Sequence, residues 1–101
     1  MFMSSIEKIK NVVQDYFVTQ PVKRAWVFGS YARGEETPES DIDILIDYGE
    51  GKKPSLFTIS GIKIKLEELF NTKVDLVPED CLYENIRQFV DRDKILIYER
   101  I

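Results

Sequence analysis

Apolar residues recur at helical intervals near the start of the chain. Ile6, Ile9, Val13, Tyr16 and Phe17 share one face, which predicts an amphipathic helix over residues 4–18. Ser4 and Glu7 have capping-box spacing, and Gln20-Pro21 ends the helix. Residues 22–29, rich in β-branched and aromatic side chains, read as a strand. Gly29-Ser30 then turns into a short helical segment that Gly34 stops, and residues 35–39 form a loop punctuated by Pro38. Residues 41–48 alternate as a second strand, with Ile42, Ile44 and Ile46 on one face and Asp41, Asp43, Leu45 and Asp47 on the other.

A turn-rich hairpin or connection over residues 49–54 leads to Ser55, which is placed to cap a helix running to Phe70. The apolar stripe of that helix is Leu56, Ile59, Ile62, Leu66 and Leu69, interrupted by Gly61. Residues 73–77 read as a third strand that Pro78 closes. Residues 79–90 read as a helix with Leu82, Ile86, Phe89 and Val90 inward, and residues 95–98 as a last strand. The alternation predicts an α+β fold, a mixed sheet of about four strands with flanking helices.

Composition narrows the function classes. The 101 residues suit one domain spanning 1–101, with no room for a second substrate-binding unit. Hydrophobic residues at 44% and charged residues at 32% are an ordinary globular balance. A net charge of −4 argues against a non-specific grip on DNA or RNA. It leaves room for a nucleotide, because a bound cation inverts the local field. One cysteine excludes an internal disulfide, and the lack of histidine removes the usual nitrogen metal ligands. The apolar runs are too short to span a bilayer, and Met1-Phe2-Met3 leads into a charged helix rather than a signal sequence. The expectation is a cytoplasmic protein without membrane contact.

The chemistry-bearing residues lie between the first two strands. Gly29 permits close backbone approach, Ser30 offers a hydroxyl and an N–H at a helix start, and Arg33 one turn later can fork onto a phosphate. Taken alone, this is also an ordinary tight turn with a solvated arginine. Asp41 and Asp43 point the same way from a strand and repel each other unless a proton or a cation intervenes. Asp75, between Val74 and Leu76, is a candidate third ligand, since an unpaired charge among apolar neighbours is expensive; a salt bridge or an edge position is the plainer reading. Oxygen-only ligands suit Mg²⁺. Cys81 reads as a small buried residue, Trp26 and Phe28 as core aromatics, Asp47 as a solvated strand end, and Lys52-Lys53 as a solvated loop.

In this order, Gly-Ser, a spacer ending Arg-Gly, Asp-x-Asp and a later single Asp resemble the signature of the DNA polymerase β-type nucleotidyltransferases, and most closely the minimal nucleotidyltransferase family. The resemblance covers about Ser4 to Tyr98. It implies that Gly29 and Ser30 hold a triphosphate, with help from Arg33. It implies that Asp41 and Asp43 bridge two Mg²⁺ ions, and that Asp75 ligates the catalytic ion and draws the proton from the attacking hydroxyl. The implied reaction is transfer of AMP from ATP to a hydroxyl of a partner protein, the tyrosine of a helical HEPN toxin, in a toxin–antitoxin pair held together as an oligomer. The alternative is an antitoxin that neutralises its partner by occlusion with little or no catalysis.

Overall fold

The computed structural model describes residues 5–51 and 53–100. In chain order the elements are α1 (Ser5–Phe17), β1 (Arg24–Phe28), α2 (Gly29–Arg33), β2 (Ile42–Asp47), α3 (Leu56–Phe70), β3 (Val74–Pro78), a 3₁₀ turn (Glu79–Cys81), α4 (Glu84–Asp93) and β4 (Ile95–Glu99). The expected capping residue Ser4 and the loop residue Lys52 lie outside the described residues. Ser55 does cap α3, its Oγ accepting the Thr58 N–H at 3.2 Å.

The strands form one mixed sheet in the order β3-β2-β1-β4. β1 runs antiparallel to β2 and β4, while β2 and β3 are parallel. A parallel neighbour needs a crossover, and α3 provides it. Ala25, Val27, Ile42, Ile44, Ile46 and Val74 pack from the sheet against Ile9, Val13 and Phe17 of α1 and Ile62 and Leu66 of α3. β4 adds both Ile97 and Tyr98 to this core. Consecutive residues can share one side there because a bulge opposite Ala25–Trp26 leaves Ile97 without a ladder partner.

The second sheet face carries Trp26, Asp43 and Leu45. Leu45 is 0% exposed, flanked in register by Trp26 on β1 and Val77 on β3. Lys94, just past α4, places its ammonium 4.7 Å from the centre of the Trp26 ring. Trp26 and Phe28 are therefore half-buried on this face rather than part of the main core. At the opposite end of the sheet, Arg100 donates to the carbonyls of Phe17, Val18, Gln20 and Val22, closing the end of α1.

Several expectations from periodicity are corrected. The helix read over 79–90 is a 3₁₀ turn followed by α4, and of its four expected inward residues Val90 is buried while Ile86 and Phe89 are exposed. Leu56 and Leu69 also face solvent. A stripe drawn on one helix does not say how much of it a small sheet can cover. Cys81 is exposed, because the 3₁₀ turn lies outside the core. Asp47 is half-buried and accepts the Gly49 N–H at 2.8 Å, which makes it a turn-forming residue. No helix among the described residues is long and apolar enough to cross a membrane.

Leu66 is fully buried, so Leu66→Ala should cost about 3 kcal/mol in urea denaturation. Arg100→Ala, which frees helix-end carbonyls near solvent, should cost only about 1 kcal/mol.

Candidate active site

β1 delivers the chain to Gly29, and α2 begins there. Tyr31 and Ala32 pack against the core and anchor this short helix, which leaves Ser30 and Arg33 at its polar side. Gly34 closes it in the left-handed conformation, φ +71°. Gly29 itself has φ +71°, and a Cβ there would collide with Oδ2 of Asp43. Two constraints thus coincide at one position: a backbone angle that side chains rarely adopt, and a carboxylate lying directly against the Cα.

The carboxylates are set by register. Antiparallel pairing puts Asp43 opposite Phe28, the residue before Gly29. Parallel pairing puts Asp75 directly beside Asp43. The Ile42 N–H donates to the Lys73 carbonyl at 2.9 Å, and Glu67 of α3 accepts the Val74 N–H at 3.0 Å. These two bonds tie down the start of β3 just before Asp75. Thr37 and Ser40 knit the loop before Asp41 through N–H to Oγ (2.9 Å) and N–H to carbonyl (3.0 Å) bonds.

The electrostatics report the convergence. Burial first, then repulsion from Asp75 and Asp41, pushes the Asp43 carboxyl up to about 6, with Arg33 pulling the other way. All three expected carboxylates and Arg33 therefore act within one field. Asp75 is exposed on the edge strand β3, so desolvation is not what makes it notable; its alignment with Asp43 is.

Arg33 is engaged by Glu35 at 3.1 Å and Asp93 at 3.5 Å. Hydrogen bonding to Glu35, followed by attraction to Glu35 and Asp93, raises its pKa further against partial desolvation. Sequence reasoning missed Glu67, Glu35 and Asp93. Glu67 and Asp93 meet their partners only through helix–sheet and helix–helix packing, which leaves no local signal. The Arg33–Glu35 proximity was available as an i,i+2 charge pair.

Among the described residues, no three or more acidic, thiol or imidazole side chains are already gathered tightly enough to hold a metal unaided. Mg²⁺ does not require that, since it usually takes one or two carboxylates and completes its shell with water and substrate phosphate. The donor set here is all oxygen, and the repulsion felt by Asp43 is what a divalent cation would relieve. The residues fit such an ion. A cleft of 480 Å³ that includes Lys23, Tyr48, Gly49 and Arg100 lies at the far end of β1 and β2, away from Gly29.

Residues 6–100 match the nucleotidyltransferase domain family. The chain belongs to that family. It is a nucleotidyltransferase domain of mixed α/β architecture, as its sheet and flanking helices show. It is similar to the protein adenylyltransferase MntA of Thermococcus cleftensis, 34% identical over 101 residues, covering 96% of this chain and 100% of that protein. Its fold is similar to that of a toxin–antitoxin crystal structure with AMP-PNP: TM-score 0.73, 22% identity, 95% of this chain and 74% of that one. It also resembles a complex of tri-AMPylated Shewanella oneidensis HEPN toxin with MNT antitoxin: TM-score 0.64, 20% identity, 94% of this chain and 70% of that one.

A carboxylate raised in the folded state holds its proton longer than in the unfolded chain. The contribution of this carboxyl to stability therefore falls as pH rises from the unfolded value near 3.8 to about 6, then stays level. In metal-free buffer, Asp43→Asn should stabilise the protein at pH 7.5 by on the order of 1–2 kcal/mol after allowance for screening, with the gain vanishing near pH 4. Melting curves across this range check the sign. Gly29→Ala should cost about 1–2 kcal/mol and displace Asp43, lowering transfer activity as well.

Proposed function

We propose that this chain transfers AMP from ATP to a hydroxyl of a partner protein, a tyrosine of a helical HEPN-type toxin, and so acts as its antitoxin in the cytoplasm. The observation that carries the reading is Asp43 held beside Asp75 and against Gly29, at the start of the Ser30–Arg33 helix. Family membership and the similarity to the Thermococcus adenylyltransferase support the reaction class. The Shewanella complex supports the partner class.

Gly29 and Ser30 would receive the triphosphate, and Arg33 would balance its charge while Glu35 and Asp93 hold the guanidinium in place. Asp41, Asp43 and Asp75 would hold Mg²⁺, which neutralises the triphosphate and the charge that builds on it in transfer. The acceptor oxygen attacks the α-phosphorus, the bond to the β-phosphate oxygen breaks, and pyrophosphate leaves. Asp75 takes the acceptor's proton. Its exposed position at a sheet edge suits an acceptor presented by another protein.

Incubation with labelled ATP, Mg²⁺ and the toxin partner should add one or more adenylates to a toxin tyrosine, read by mass spectrometry. Asp43→Asn and Asp75→Asn should each lower the rate at least about a hundredfold. Neutralisation that survives in the Asp41→Asn/Asp43→Asn variant would instead establish occlusion.

A further inference from the structure

β3 is an edge strand whose one neighbour in the sheet is β2. The peptide joining Lys73 to Val74 is nevertheless bound on both sides. Its carbonyl accepts the Ile42 N–H from β2 at 2.9 Å. Its N–H points the other way, out of the sheet, and donates to Oε2 of Glu67 at 3.0 Å. An outward N–H on an edge strand is ordinarily left to water. Here a carboxylate from α3 takes it, and an ionised acceptor makes the bond a strong one.

Glu67 does little for its own helix. It stands in the last turn of α3, where the helix dipole disfavours an acid. Its ion pair with Lys63 is long, 3.9 Å, and puts the lysine first, the weaker order along a helix. The benefit falls on β3. Asp75 is the next residue after Val74, and it is exposed. Among the described residues no hydrogen bond or ion pair reaches its carboxylate, so the strand alone sets where it lies. Glu67 itself stays outside the acid cluster: the charges that act on Asp43 are those of Asp75, Asp41 and Arg33.

We infer that Glu67 is a positioning residue, which grips the Val74 N–H and thereby holds Asp75 at its place beside Asp43 without touching substrate or ion. The inference rests on the proposed reaction, in which Asp75 helps to hold the cation and takes the acceptor's proton. The triphosphate contacts come instead from Gly29, Ser30 and Arg33, on a different pair of elements. Loosening the start of β3 therefore acts on the chemical step and on cation affinity far more than on ATP. A displacement of about 1 Å at a reacting group is enough to slow a reaction severely.

Kinetics of AMP transfer to the toxin partner and Mn²⁺ affinity of the purified chain, followed by electron paramagnetic resonance, test this together. Glu67→Ala should lower kcat at least about tenfold, leave KM for ATP within about threefold, and weaken Mn²⁺ binding at least about fivefold. Glu67→Gln keeps an oxygen acceptor for the Val74 N–H and should stay within about twofold of the parent in all three. Glu67→Met, which keeps the length of the side chain without the acceptor, replaces Glu67→Ala if that variant does not fold by circular dichroism. Arg100→Ala, at the other end of the sheet, controls for lost stability alone and should keep the parent kcat. A parent chain that transfers no AMP would count against the proposed reaction, while the Mn²⁺ series would still decide whether Glu67 holds the site. Parent-like Mn²⁺ affinity in both Glu67→Met and Glu67→Ala would overturn the inference. So would a Glu67→Gln variant as impaired as Glu67→Ala, which assigns the effect to charge rather than to the bond, or an equal loss of kcat in Arg100→Ala.

Discussion

The pairing of β2 with its two neighbours is the constraint on which the rest depends. β2 is antiparallel to β1 and parallel to β3, and those two registers together set Asp43 beside Asp75 and against Gly29. Side chains on a strand alternate, so a slip of one residue would turn the acids into the core and the isoleucines out to solvent. The core forbids this slip, because Ile42, Ile44 and Ile46 are needed between the sheet and its helices. Hydrophobic burial on one face thus fixes polar geometry on the other.

That placement brings like charges together. The raised carboxyl of Asp43 measures the tension: burial and two neighbouring acids oppose its ionisation. A protein selected for stability alone would not put three acids on one patch, and sites that bind cations commonly carry such a burden. The surrounding structure is stiff enough to bear it. β2 is buried on both faces through Leu45, and the start of β3 is held by Glu67 and by the Ile42–Lys73 bond. Arg33 reaches the same field from α2 and is steadied by Asp93 at the end of α4, so four separate elements share in one small constellation.

The two sheet faces have different tasks. One gathers α1 and α3 into the core; the other displays the acids, Trp26 and the end of α4. The face of α3 that points away from the core is therefore remote from the acids.

Much of this was legible in the chain before folding. The element order followed from periodicity and turn residues, and Gly29, Ser30, Arg33, Asp41, Asp43 and Asp75 stood out by type and spacing, because local patterns carry local chemistry. The burial of Ile86, Phe89, Leu56 and Cys81 was misread, because a helical stripe shows which side is apolar and not whether another element lies against it. Asp75 seemed costly between apolar neighbours, yet it sits in solvent because β3 is an edge strand. The residues that support the site, Glu67 and Asp93, carry no mark in the sequence. The amino-acid order by itself determined the types of side chain available and the faces they share within each element. Only tertiary structure decided which elements adjoin, and hence which charges meet and which apolar faces stay bare, because pairing and packing join residues far apart along the chain.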